Sequence, residues 1–271
     1  MMKRILTGAA LLCLAATAGQ AQGRYSLTCR DQGDSYGSRA RHCEVKEQTL
    51  AGGGALDVDA SQNGGIAVKG WDRNDVLVRY RVQTQAPTQA EADNLAAQIR
   101  LNTAGGQVRA EGPEGSRNAH WDVSFEVFVP RQSTIALRTH NGGISIADLR
   151  GRVQFEATNG GVTLKRLGGS VSGETVNGGL HVELTGSNWD GEGLDVKTTN
   201  GGLSVSVPEN YSAHLETGTV NGGLNISPSI AEVTRDTKRL SVDLGAGGSN
   251  LRIYTTNGGV SIRRGGSGRE M

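Results

Sequence analysis

From residue 131 to 263 the apolar residues recur at fixed distances from a repeated tripeptide, NGG, whose asparagines are Asn63, Asn141, Asn159, Asn177, Asn200, Asn221 and Asn257. In the six copies from Asn141 onward, the sixth residue before the Asn is Ile135, Val153, Val171, Leu194, Leu215 or Leu251. The third residue after it is Ile144, Val162, Leu180, Leu203, Leu224 or Val260, and the fifth is Ile146, Leu164, Val182, Val205, Ile226 or Ile262. Polar residues separate these positions, which is the period of a half-buried strand. Each copy thus predicts a strand, an NGG turn, a second strand and a second turn. The spacings between successive asparagines from 141 are 18, 18, 23, 21 and 36. A period near 20 marks a stacked architecture, and 36, twice 18, predicts one further copy that has lost its motif.

Two architectures use such a repeat. Asn-Gly is a strong hairpin signal, because a type I′ turn needs positive φ at both central residues, so an antiparallel β-sandwich of hairpins is the alternative. A hairpin makes no demand two residues before the Asn, yet that position is Thr139, Thr175, Thr198, Thr219 and Thr255, with Ala157 the exception. In a solenoid, equivalent residues lie one above another, so like residues form hydrogen-bonded ladders of Thr and Asn. The expectation is therefore an all-β, right-handed β-helix or solenoid-like stack over 131–263. The outward column three before the Asn, Arg138, Glu156, Glu174 and Lys197, would place each Glu beside a basic neighbour.

The preceding region has another rhythm. Residues 66–82 alternate as two strands around Gly-Trp-Asp, and 121–130 as one strand ending at Pro130. Between them 88–101 predicts the one helix, with Thr88 and Glu91 as a capping box and Leu95, Ile99 and Ala92 on its buried face. A stack needs its open end covered, so 51–130 is expected to be an amino-terminal cap. Residues 264–271 are expected to be a disordered tail.

Composition narrows the function. Lys3 and Arg4, an apolar run from Ile5 to Ala16 and the small-residue site Gly19-Gln20-Ala21 form a secretory signal peptide over 1–21. The chain is expected to be exported, periplasmic or secreted, with no integral membrane segment after cleavage. The whole chain carries 28 Lys and Arg against 27 acids, and cleavage removes two of the cations. That near-neutral balance argues against nucleic acid as a partner. Cleavage also leaves two cysteines, Cys29 and Cys43, expected to form a structural disulfide that staples the segment 22–50.

Candidate chemistry is sparse. Five histidines show no HExxH or HxH spacing, so no metal or cofactor is expected. Asp190 and Glu192 lie in an oxygen-rich loop, which reads first as a solvated insertion and only second as a calcium site. Glu156 and Glu174, vertical neighbours in a solenoid, are the pair a retaining glycosidase would use. The simpler reading is a charge-balanced face. A second column, Ser145, Thr163, His181, Ser204, Asn225 and Ser261, forms a flat polar face suited to a glycan or a protein. Trp189, in the longest repeat loop, and His181 are the candidate surface contacts.

The ordered series GWDRNDVLV, the helix, WDVSFEVFVP, THNGGISIADLRGRV, ATNGGVTLKRLGGSV and TVNGGLHVEL resembles the bacterial putative-adhesin domain family over about residues 50–263. The resemblance implies a β-helix-like domain, exported or membrane-tethered. The expected function is a non-catalytic envelope module, adhesin-like or scaffolding, that meets envelope glycan or protein through a repetitive polar face. The alternative is a polysaccharide-active β-helix enzyme using Glu156 and Glu174.

Overall fold

The computed structural model describes residues 27–29, 39–232 and 237–265. The expected signal peptide, and the expected tail from residue 266, lie outside the described residues. In chain order the first elements are β1 (Ala40–Ala51), β2 (Leu56–Asp59), β3 (Ile66–Trp71), β4 (Asp75–Ala86) and the helix α1 (Gln89–Gln98). β5 (Arg100–Asn102), β6 (Gln107–Glu111) and β7 (His120–Pro130) follow. Then come strand pairs, each flanking one NGG: β8 (Thr134–Asn141) with β9 (Ile144–Ala147), β10 (Arg150–Asn159) with β11 (Val162–Lys165), and β12 (Gly168–Asn177) with β13 (Leu180–Glu183). β14 (Gly193–Asn200) pairs off with β15 (Leu203–Val207), and β16 (Ala213–Asn221) with β17 (Leu224–Ile226). β18 (Arg239–Leu244) stands alone before β19 (Asn250–Asn257) and β20 (Val260–Arg264).

The two strands of each pair belong to different sheets, so NGG is a corner between sheets. The first sheet runs β1-β4-β7-β3-β9-β11-β13-β15-β20-β17, the second β18-β16-β19-β14-β12-β10-β8-β2-β6-β5. Repeat strands stack in parallel with Asn over Asn: Asn141 on Asn159, Asn159 on Asn177, Asn177 on Asn200, Asn200 on Asn257 and Asn257 on Asn221. That register is the stacked coil, and it excludes the sandwich of hairpins. Inward residues such as Val153, Val171, Leu194 and Leu251 are at most 2% exposed and form one core between the sheets. Identity is not strict inside. Phe155 fills the space over Gly173, where an added Cβ would lie 2.6 Å from the ring.

The corner explains the motif differently from a turn. Of the NGG glycines only Gly64 has a positive φ. The first glycine of each later copy is required by stacking: a Cβ on Gly160 would lie 1.9 Å from the Gly142 carbonyl oxygen, and one on Gly201 2.1 Å from that of Gly178. The asparagines form the expected ladder, each side-chain amide donating to the next side-chain oxygen at 2.7–3.1 Å from Asn63 through to Asn221. The threonines do not pair with one another, contrary to expectation. Each donates its hydroxyl to a glycine carbonyl of the adjacent coil: Thr139 to Gly64, Thr175 to Gly160, Thr198 to Gly178, Thr219 to Gly258 and Thr255 to Gly201, at 2.7–2.9 Å. A buried hydroxyl needs that partner, and the rigid glycine corner presents it.

Both ends depart from the expected order. Among its described residues the 36-residue gap forms no further coil. Instead β18 runs antiparallel along β16, and the coil of Asn257 is inserted between those of Asn200 and Asn221. At the other end the stack begins before residue 131: β2 and β3 form a full coil whose Asn63 bridges Asn141, and β6 and β7 add another beyond it. The cap proper is β1, β4, β5 and α1. α1 carries the expected capping box and buries Ala92, Leu95 and Ala96, while Ile99 closes it as a buried C-cap. The Cys29–Cys43 disulfide is formed, with Cα atoms 5.8 Å apart. Arg264, expected in the tail, ends β20, and its guanidinium donates to the Pro208 carbonyl at 2.7 Å.

Candidate functional site

The outer face of the second sheet carries a trough. Its floor is low where short side chains coincide, at Ala136, Ser172 and Gly173, and its walls are Arg138, Gln154, Glu156, Glu174, Asp195 and Lys197. The hollow measures about 460 Å³ and adjoins a second of about 400 Å³ near Asp59, Arg109 and His140, the two sharing Arg138, Glu156 and Glu174. Strand alternation forces Ala136, Ser172 and the wall residues outward, and the parallel register lines them up across coils; Gly173 is an inward position that deepens the floor because it has no side chain.

The charges in it are largely paired. Arg138 Nη2 donates to both oxygens of Asp57, at 2.8 and 2.6 Å, and this bonding pushes the guanidinium pKa still higher. Lys197 Nζ lies 2.8 Å from Glu174 Oε2, which raises the ammonium pKa. Glu156 stands in register between Arg138 and Glu174. The expected pairing of each Glu with a basic neighbour therefore holds for Glu174 through a direct contact, whereas Arg138 is held chiefly by Asp57. Glu156 and Glu174 are in-register neighbours, as the glycosidase reading required, and they line an open trough.

The first sheet presents the other face. Ser145, Thr163, His181, Ser204, Ser261 and Asn225 form one column in that order, Asn225 falling last because its coil is outermost. Lys165 and Glu183 pair beside it at 3.1 Å. His181, half-buried, lies between Thr163 and Ser204. Trp189 corrects the expectation of a surface contact. It is 4% exposed, part of the core, and its indole N–H donates to the Gly169 carbonyl at 3.0 Å. Its loop turns inward because glycines let the chain close on itself; a Cβ on Gly191 would lie 2.4 Å from the Gly169 Cα. Asp190 bonds Arg150 at 2.8 Å, and among the described residues no group of three His, Cys, Asp or Glu is arranged to hold a metal ion.

Two clusters lay beyond sequence reasoning. On β7, Glu126 is 2% exposed, accepts from Arg79 Nη1 through Oε2, and leaves Oε1 buried with no hydrogen-bond partner; burial raises its pKa although Arg79 opposes the rise. Its place, outward on an alternating strand, gave the only hint. Trp71 stacks on Phe128, ring centroids 5.4 Å apart, with the Arg73 guanidinium 4.3 Å above the Trp71 ring. Among the described residues no helix is long and apolar enough to cross a membrane.

No curated protein matches the chain. Among solved structures it is similar to a "putative cell adhesion protein" from Clostridium sporogenes (11% identity, TM-score 0.42, covering 82% of this chain and 100% of that one). It is also similar to a "putative adhesin" from Bacteroides fragilis (10%, TM-score 0.33, 81% and 97%) and a "putative lipid binding protein" from Parabacteroides distasonis (10%, TM-score 0.37, 82% and 97%). The family model Toastrack DUF4097 matches residues 96–263, most of the chain and nearly all of the repeat array, and the chain is therefore a member of the Toastrack DUF4097 family.

Proposed function

We propose that the protein is an exported, non-catalytic envelope module that binds envelope glycan or protein along the outer trough of its second sheet. The observation that carries this reading is the trough itself, a continuous polar channel across several coils with a charged group at each rung of Arg138, Glu156, Glu174 and Lys197. Such a surface offers donors and acceptors at the regular spacing of a parallel sheet, which suits an extended, hydroxyl-rich chain. Export rests on residues 1–21 acting as a cleaved signal, in the periplasm or beyond it. The same reading takes the winding as right-handed, the sense that right-twisted strands favour in parallel crossovers.

The test is binding of the mature chain to soluble envelope glycan fragments by calorimetry. Ser172→Arg, which fills the trough floor, is expected to abolish binding, while His181→Ala on the opposite face leaves it unchanged. Equal binding by wild type and Ser172→Arg would sink the assignment. Release of reducing ends that disappears in Glu156→Gln and Glu174→Gln would instead establish the enzyme.

A further inference from the structure

We infer that two copies of the mature chain associate about a two-fold axis by pairing their β18 edges. Among the described residues β18 is the last strand of the second sheet and is paired on one side only. The Thr219 N–H donates to the Lys238 carbonyl at 2.9 Å, which makes Thr219 and Lys238 a hydrogen-bonded pair of this antiparallel ladder. Bonded and non-bonded pairs alternate, so Thr217 with Leu240 and Leu215 with Val242 are bonded too. Arg239, Ser241 and Asp243 therefore aim their N–H and C=O groups away from β16, along the open edge.

The sequence of that edge, RLSVDL, is self-complementary about Ser241. Antiparallel pairing with a second copy, centred on Ser241, places Arg239 opposite Asp243 of the second copy and Asp243 opposite its Arg239. It also sets Leu240 against Val242 twice. The faces match: Arg239, Ser241 and Asp243 are exposed on the outer side, whereas Leu240 and Val242 face the core and remain only half-buried. An isologous contact requires this reciprocity, in which residue i meets j and j meets i. Monomeric proteins blunt sheet edges with Pro, bulges or charged side chains. β18 carries no Pro, its two charged residues, Arg239 and Asp243, meet their opposites in the pairing, and its bonding groups and apolar face are both completed by a second β18. Asp243 holds His214 Nδ1 through Oδ1 at 2.6 Å and stays 68% exposed, within reach of an approaching guanidinium.

Sedimentation velocity of the mature chain over about 1 to 500 µM reads the association directly. Wild type is expected to shift from monomer to dimer with concentration. Ser241→Pro removes one outward N–H without touching the bonds to β16, so it should raise the dimer dissociation constant at least about tenfold with an unchanged circular dichroism spectrum. If that variant fails to fold, charge reversal still decides: Arg239→Asp and Asp243→Arg each weaken the dimer, and combining them restores it. A chain that stays monomeric throughout, or a dimer indifferent to these substitutions, overturns the inference.

Discussion

The two ends of the stack solve one problem by the same threading and then diverge. At each end the outermost NGG coil in sequence is held inside: β2 and β3 lie between β8 and β9 and the coil of β6 and β7, while β19 and β20 lie between β14 and β15 and the coil of β16 and β17. A coil clamped on both sides cannot peel away alone, which suits a fold whose units touch only their neighbours. Beyond the clamp the ends differ. The amino-terminal end adds β1 and β4 to one sheet, β5 to the other, a helix over the core mouth and a disulfide. The carboxy-terminal end adds β18 alone, leaving Leu224, Ile230, Leu240 and Val242 half-buried and Val220 62% exposed. One end is built to terminate the stack; the other keeps an edge that a partner can extend.

The largest effect should come from the corner glycine, and it should depend on position. Gly160→Ala sets a Cβ 1.9 Å from the Gly142 carbonyl oxygen, and Gly222→Ala sets one 2.0 Å from that of Gly258, so the local clash is the same. Gly160 lies between coils on both sides and nothing can yield, whereas the coil of Gly222 is the outermost of the first sheet and can tilt. Overpacking against fixed backbone predicts a loss of about 4 kcal/mol for Gly160→Ala, and about 1 kcal/mol for Gly222→Ala, in urea unfolding. Equal losses would mean that the carboxy-terminal end is as rigid as the interior.

Next comes the covalent strap, which only the amino-terminal end has. Closing a loop with a sequence separation of 14 restrains the unfolded chain by about 3 kcal/mol, so Cys29→Ser with Cys43→Ser should cost about that much. The loss should appear as faster amide exchange in β1 and β4, with β16 to β20 unaffected.

A smaller, pH-dependent effect sits under the same strap. The folded chain holds the Glu126 proton to higher pH than the unfolded chain does, because the side chain is buried. Its contribution is therefore favourable at low pH and falls as pH rises through the ordinary carboxylate range toward the folded value. Asp148 in the array behaves oppositely. Burial opposes its charge, but two bonds from Arg166 at 2.6 and 2.8 Å prevail and lower its pKa, so its contribution is lost as pH falls through the folded value. Relative to wild type, Glu126→Gln should gain stability as pH rises above the ordinary carboxylate range, and Asp148→Asn should recover its deficit as pH falls below that range. Thermal midpoints on both sides of the range read both signs.

How much of this was legible follows from what each residue has to satisfy. The strands, the apolar columns, the capping box and the asparagine ladder follow from positions that repeat, because stacking repeats the same environment. The threading order was hidden, since the coil of Asn257 and that of Asn221 carry the same motif and either could lie next to Asn200. Only the antiparallel β18 decides between them, and its alternation is indistinguishable from that of a coil strand. Trp189 misled because its loop lies outside the repeat phase, and the glycines that fold it inward are ordinary in so glycine-rich a chain. The trough was foreseen as a column of charges. Its hollow was not, because that depends on small residues falling at Ala136 on β8 and at Ser172 and Gly173 on β12, two coils apart.

The finest comparison between the ends lies in the ladder itself. Asn257 donates to Asn200 at 2.7 Å and accepts from Asn221 at 2.8 Å, whereas Asn63 only accepts, from Asn141 at 3.1 Å. Each net bond is worth about 1 kcal/mol at most where water competes, so Asn257→Ala should cost about 1.5 kcal/mol and Asn63→Ala about half that. What lies beyond each clamp adds a kinetic difference. Outside the Asn257 coil only the Asn221 coil and β18 remain, so loss of Asn257 should quicken exchange in the Asn221 coil as well. Loss of Asn63 should stay local, because the coil of β6 and β7 outside it is itself held by β4, β1 and β5. If Asn63→Ala spreads as far as Asn257→Ala, the antiparallel cap does not hold its end more tightly than β18 holds the other.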